Sequence, residues 1–407
     1  MESSEEHPHQ ATQSSRRLSL LSNPAFGVLW FSEAISLIGD RILMIALINM
    51  VYDWSGSAGA VSILPVIKAV PALALGTVAG VFVDRWPRKW IMVVSNLLLF
   101  GLVLAIPATQ NLLLIYMIYF VMSVVSQFFI PARSAAIPAL VDGKSLSTAN
   151  ALFAAAFVGA IAIGPALGGW IIDHFGLQTA YWVDALTFLV PALAVSLLAI
   201  PQNRQFAAGS SLGGDWWEGM ALVRREGKIR IALLLVGAVA LLIASLSALG
   251  VILIREKLGG SAGDFGLMMS VMGAGMLIGA VLSPRLGQRF NRLKLASTGA
   301  ILAGAAILTM ALAGHLGLAL GAAFFLGFGF VNVQVQAQTI LQETPDQMRG
   351  RILGLSQTVM GSVTFTAAAL AGILAGWFGC SLVLSGAGLL VCLAGGMVVI
   401  SAWRFQV

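Results

Sequence analysis

An all-α integral membrane fold, with twelve transmembrane helices in two pseudo-symmetric six-helix bundles, is what the sequence predicts. Three observations predict it. Of the 407 residues, 58% are hydrophobic and 10% charged, too little polar side chain to cover a soluble domain of this length. Twelve apolar runs each approach or exceed the roughly 20 residues that a bilayer crossing needs. A short charged motif recurs at the same place in the two halves of the run order.

The chain opens with a polar segment, residues 1–22, that has no apolar core followed by a small-residue cleavage site and so reads as a cytoplasmic tail rather than a signal peptide. Breaks at proline, glycine and charge clusters then place the first six spans at Ala25–Val51, Ala60–Val83, Trp90–Pro107, Leu112–Ile130, Leu146–Ile172 and Thr179–Ile200. Residues 23–200 form the N-terminal bundle. A linker at 201–230 follows, with a Gly/Ser stretch and then "DWWEGMALVRREGKIR", which reads as a short helix on the inner membrane face, capped by Asp215 with Glu218 three positions on. The last six spans, at Ile231–Ile254, Phe265–Ser283, Leu295–Ala313, Leu316–Leu341, Ile352–Trp377 and Ser381–Trp403, make the C-terminal bundle, 231–407.

With the N-terminus inside, 19 of the 23 Lys and Arg fall at the cytoplasmic side; only Arg255 and Lys257 face out, and Arg41 and Lys68 lie within spans. Basic residues accumulate on the cytoplasmic side of membrane proteins, so both termini are placed there, in a bacterial cytoplasmic (inner) membrane. The net charge of +6 has the same origin. No basic run interleaved with aromatics argues for nucleic acid. Cys380 and Cys392 sit in the last apolar stretch and read as small apolar residues.

Charges inside the spans are the candidate functional groups, since each costs several kcal/mol there. Glu33 and Asp40 are seven residues apart, hence about 20° apart around the first helix; Ser36 joins their stripe and Arg41 flanks it. Lys68 lies at similar depth in the second span. Burial disfavours a charged carboxyl and a nearby cation favours it, so a carboxylate facing a base that moves can switch a proton. Glu33 or Asp40 could do so; a static pair of Asp40 with Arg41 or Lys68 is the alternative. Asp184 reads as a packing acid at shallow, outer depth. Gln127 and Gln336 are further cavity candidates, and His174 and His315 receive no role.

"GVFVDRWPRK" at 80–89 sits between the second and third spans, and "QRFNRL" at 288–293 sits between the eighth and ninth, 204 residues later. Two copies of six spans suit a transporter. The first copy resembles the loop signature of the major facilitator superfamily, written G-x-x-x-D-R-x-G-R-R/K: Gly80, Asp84, Arg85, Arg88 and Lys89 match, and Pro87 replaces a glycine. "LIGDRILMIAL", "FFIPARSAAIPALV", "YWVDALTFL" and "QETPDQMRGRILGL" resemble bacterial exporters grouped with macrolide-efflux proteins and the enterobactin exporter.

The resemblance implies a major facilitator fold and a cytoplasmic gate in which Asp84 meets the start of span eleven while Arg85, Arg88 and Lys89 pair nearby. Arg133, at the inner edge of span four, is placed with that gate. It also implies an antiporter-like fifth span, carried by Gly164, Pro165, Gly168 and Gly169. The expected function is export of a small amphipathic molecule (a drug, macrolide or siderophore-like metabolite) by proton antiport, with Glu33, Asp40, Arg41 and Lys68 in the coupling and substrate cavity. "GDRILMIALINM" and "FFIPARSAAIPAL" also look like lysophospholipid transporters of the superfamily, in which Arg41 and Lys68 would hold a lipid phosphate. A non-transporting scaffold or an enzyme is the remaining alternative, but no nucleophile–base pair, metal-spaced His/Cys set or nucleotide loop is present. No cofactor is expected; the partners are a small-molecule substrate, protons and the bilayer, and the chain is expected to be a monomer.

Overall fold

The computed structural model describes residues 20, 23–142, 145–198, 226–343 and 346–404, apart from the side chains of 73, 76–85, 346–351 and 400–404. All regular structure among these residues is helical: α1 Pro24–Ser55, α2 Ala58–Arg85, α3 Arg88–Ala105, α4 Leu112–Leu140, α5 Leu146–Ser196, α6 Gly227–Ile252, α7 Ala262–Arg289, α8 Arg292–Leu312, α9 Leu316–Gln342, α10 Asp346–Phe378 and α11 Cys380–Arg404. A single π-helical turn, Leu253–Lys257, extends α6. Ten helices are long and apolar enough to cross a membrane. The N-terminal tail and linker residues 199–225, including Asp215 and Glu218, lie outside the described residues. Lys228 and Arg230, expected in the linker, already belong to the first turn of α6.

Local chemistry sets the helix starts. Asn23, Asn111 and Asn291 each accept from two backbone N–H groups of the turn they open, satisfying donors that a helix start leaves free. Ser261 and Asp264 form a reciprocal capping box on α7. Helix α5, at 51 residues, would be roughly 75 Å long if straight, more than twice a bilayer core. It breaks instead at Gly176, whose φ of 82° is a left-handed conformation that a side chain disfavours. Gly379, 203 residues later with φ 79°, separates α10 from α11. The two arms of α5 therefore correspond to α10 and α11.

Helices α1–α5 pack mainly on one another, and so do α6–α11. The two groups meet along two seams, the first arm of α5 against α7 and α2 against α10. Both seams rest on glycines. A Cβ on Gly169 would stand 2.7 Å from Ala262 O and from Gly263 Cα; one on Gly372 would stand 3.1 Å from Gly59 Cα and collide with Ser62. "GSAG" at 56–59 recurs at 260–263, so Gly59 and Gly263 are equivalent positions at the two seams. This 204-residue echo, legible in the sequence, matches the spacing of the charged motif.

A continuous apolar cluster seals the end that carries Gly56, Gly260 and Gly379. It runs through residues 42–51 of α1 and 242–254 of α6 to Phe265 and Met268 of α7. At the other, basic end, Arg88 donates to Ala135 O at 2.7 Å and Arg292 pairs with Glu343. Each arginine thus ties the start of a third helix to the end of a fourth within its own group. Outward-facing apolar residues such as Leu113, Leu193 and Leu390 are exposed, as a lipid-facing surface requires.

Gly169→Leu forces overpacking against the α7 backbone, at about 1–3 kcal/mol, and is expected to lower the thermal unfolding temperature of the detergent-solubilised protein. Gly159→Ala, where nothing lies within 4 Å of the added carbon, is expected to leave it unchanged.

Candidate functional site

The charged face of α1 looks into the protein. Glu33 is buried, and its Oε1 pairs with Arg133 Nη1 from α4. The Arg133 guanidinium also lies 5.7 Å from the Phe153 ring centroid. Arg133 was expected at the cytoplasmic gate; the structure places it inside the first helix group. Glu33, whose only obvious partners in sequence lay two turns away, has one from a helix a hundred residues on. Spacing could not show this, because a pair between helices leaves no periodic trace.

About two turns further along α1, the chain meets α5. Gly164 lies so close that a Cβ there would stand 3.0 Å from Arg41 Cγ, and one on Gly168 would stand 2.9 Å from Ile42 Cα. The small residues of the antiporter-like stretch thus seat α1 at the level of Arg41 and join α5 to α7. Pro165 takes part too, since a Cβ on Gly266 would meet its carbonyl. Gly39 packs against Asp184 and Thr187 of the second arm of α5. Asp184 is fully buried and accepts from Thr187 Oγ1 at 3.2 Å. Its packing role was expected; its depth, level with the middle of α1, was not.

Two adjoining chambers result. The central chamber, of about 730 Å³, lies between α1, α2, α4, α6 and α10, and Arg41, Lys68, Tyr119 and Gln357 supply polar groups to a wall that includes Met44, Ile48 and Leu64. The side chamber, of about 490 Å³, lies within the first group and is lined by Glu33, Asp40, Asn96, Gln127 and Arg133. Arg41, Met44, Lys68 and Tyr119 border both. Asp40 and Lys68 are open to this space and Arg41 is half-buried; none of the three makes an ion pair. The static Asp40 pair is therefore absent from this conformation. Glu33 Oε2, Arg133 Nε, Arg41 Nε and Asn96 Nδ2 are buried without hydrogen-bond partners, so the side chamber is a polar space with room for water. Gln127 lines it as expected. Gln336 does not: it is buried, donating to Ser283 O at 2.8 Å in a neutral network with Asn332. His315 caps α9 by accepting from Leu318 N at 3.2 Å.

Among the expected gate residues, Gly80, Asp84 and Arg85 have side chains outside the described set. Arg88 bonds within its own helix group, and Lys89 sits 5.7 Å from the ring of its neighbour Trp90. The described contacts that bridge the two groups are polar at the opposite end. Arg255 pairs with Asp53, and Tyr52 donates to Glu256 Oε1 at 2.9 Å. Asp173 Oδ2 accepts from Ser261 Oγ at 2.6 Å and Gly263 N at 2.9 Å, placing a carboxylate on the positive start of α7. A carboxylate-on-helix contact of the kind expected of Asp84, whose own side chain lies outside the described residues, is present at this end through Asp173.

Residues 15–405 match the family model described as "Transmembrane secretion effector". The chain is 27% identical to the MFS-type transporter YfiS of Bacillus subtilis, over 89% of this chain and 90% of that one. It is 25% identical to macrolide efflux protein A of Streptococcus pyogenes, over 82% and 85% of the two chains. It is 27% identical to the multidrug efflux pump Tap of Mycolicibacterium fortuitum, over 83% and 85%. Its fold superposes on a bacterial homologue of the lysosomal transporter Spinster, in an inward-facing, unoccupied state, with TM-score 0.73 at 12% identity, over 93% of this chain and 95% of the other.

Removing one member of the Glu33–Arg133 pair strands a buried charge, a loss of about 3–5 kcal/mol. Glu33→Gln and Arg133→Gln are each expected to lower the unfolding temperature in nanodiscs more than the double variant does.

Proposed function

The chain belongs to the major facilitator superfamily, in its transmembrane secretion effector family, and on that premise we propose that it exports a small amphipathic molecule by proton antiport. It is a multi-pass membrane transporter of the efflux branch, not an enzyme. Our reading has twelve crossings in two six-helix bundles, counting α5 twice and adding α2 to the long apolar helices. It takes the basic end as cytoplasmic, with both termini there, in the inner membrane of a bacterium, and the protein as a monomer.

The observation that carries the reading is the central chamber: a largely apolar cavity at mid-span, between the two helix groups, with a few polar groups on its wall. Such a cavity suits an amphipathic ligand. The seams are shut at the end we read as outer, so the conformation is inward-facing. Cargo loads from the cytoplasm. Rocking the groups apart at the outer end requires the Arg255–Asp53, Tyr52–Glu256 and Asp173–α7 contacts to break, and Asp84, Arg85 and their neighbours to close the cytoplasmic end. Glu33 or Asp40, both facing the side chamber, takes a proton from outside and releases it inside. Macrolide efflux protein A and the pump Tap support a drug-like cargo. Lysophospholipid transport is the second reading, favoured by the two bases, Arg41 and Lys68, on the chamber wall.

Proteoliposomes loaded with a pH dye, given an imposed pH gradient and challenged with macrolides, other drugs and lysolipids, test this. Export by antiport appears as a proton leak started by a drug and lost in Glu33→Gln or Asp40→Asn. Lysolipid movement that ignores the gradient would replace it with the second reading.

A further inference from the structure

The charges of the coupling cluster are divided unequally between the two chambers, and the division bears on the cargo. The central chamber has Arg41 and Lys68 on its wall and, among the described residues, no carboxylate. Glu33 and Asp40 line the side chamber and do not line the central one. Lys68 is open to the cavity and makes no ion pair among the described residues. Arg41 Nε is buried without a hydrogen-bond partner, and the guanidinium lies 5.4 Å from the centroid of the Phe157 ring; Asp40 acts on both bases through space but is within ion-pair distance of neither.

We infer that the cargo is an amphipathic anion, whose carboxylate, phosphate or other oxyanion sits on Arg41 and Lys68 while its apolar body lies along Met44, Ile48 and Leu64. The inference rests on the exporter reading for its direction of movement, but the charge of the cargo follows from the chamber alone. A cationic head would meet two like charges with no acid on the same wall, which is costly in a low-dielectric site. A neutral cargo would expel water from two cations and give them nothing in return, a poor exchange at membrane depth. An oxyanion satisfies both: the guanidinium offers a planar fork and the ammonium a point charge. Bound there, it gives the two bases an ion-pair partner, which Asp40 does not. The exchanged proton then belongs on Glu33, at the far side of the side chamber and away from the anion.

The test uses full-length protein in nanodiscs and radiolabelled probes sharing one dodecyl tail: laurate, dodecyl phosphate, lauroyl lysophosphatidylglycerol, dodecyl maltoside and dodecyltrimethylammonium. Empty nanodiscs correct for partitioning into lipid. Anionic probes are expected to bind more tightly than the neutral and cationic ones. Lys68→Gln or Arg41→Gln should weaken them by about ten- to hundredfold, while Lys68→Arg retains binding and shows that the site still folds. Binding of laurate and dodecyl phosphate but not the lysolipid marks a free amphiphile as the natural cargo, and preference for the lysolipid marks a phospholipid head; either bears out the inference. Tightest binding of the cation, indifference of anion binding to both substitutions, or no binding at all overturns it. The same probes, followed across proteoliposomes under a pH gradient, keep the two readings apart. An anion bound through Lys68 but not driven by the gradient defeats proton-coupled export and leaves the charge assignment standing. A cation driven by the gradient defeats the charge assignment and leaves export standing.

Discussion

A charged side chain within a membrane span must find a partner or water, and α1 carries Glu33, Asp40 and Arg41 on one side. Much of the first helix group follows from that requirement. Helix α4 supplies Arg133 to Glu33. The small residues of α5 let α1 approach closely enough that its charged face is walled off from lipid. Helix α2 adds Lys68 between Pro65 and Pro71, where each proline removes a backbone hydrogen bond and loosens the helix. The outcome is a polar chamber inside an otherwise apolar bundle.

The second helix group solves a similar packing problem without ions. Ser283 donates to Asn332 Oδ1 at 2.6 Å, Asn332 donates to Leu295 O at 2.8 Å and Gln336 donates back to Ser283. A satisfied neutral network holds helices together at less desolvation cost than a buried ion pair. It also offers no proton to exchange. The functional asymmetry between the halves is therefore one of chemistry laid on a shared architecture.

Much of that architecture was legible in the sequence. Apolar runs located most helix ends to within a few residues, because the bilayer fixes their length and proline, glycine and asparagine mark their ends; α4 runs ten residues past its expected end at Ile130, through Pro131, Arg133 and Pro138, and α7 and α10 each extend six beyond one end. The in-span charges identified the face of α1 that turns inward. Partners contributed by other helices were not legible: Arg133 for Glu33 and Ser283 for Gln336 both depend on how helices rotate against one another. The latch was expected where the motif is, at the basic end. The described side chains show one at the opposite end, where the helix groups are closed in this conformation. The repeated "GSAG" could have pointed there, since a small-residue pattern recurring at the repeat spacing marks close backbone approach in both halves.

The two glycine seams are equivalent by the 204-residue shift, yet they are not equally fastened. Asp173 ties the α5–α7 seam to the start of α7. The corresponding position at the α2–α10 seam is Trp377, which points outward with 76% of its surface exposed. Among the described residues, no polar contact fastens the α2–α10 seam, whereas parting the other strips a carboxylate of two donors and breaks the hydrogen bond from Ala166 N to Ser270 Oγ. The two joints between the helix groups are thus built lopsided, one frame repeated at 204 residues with unlike fastenings among the described residues.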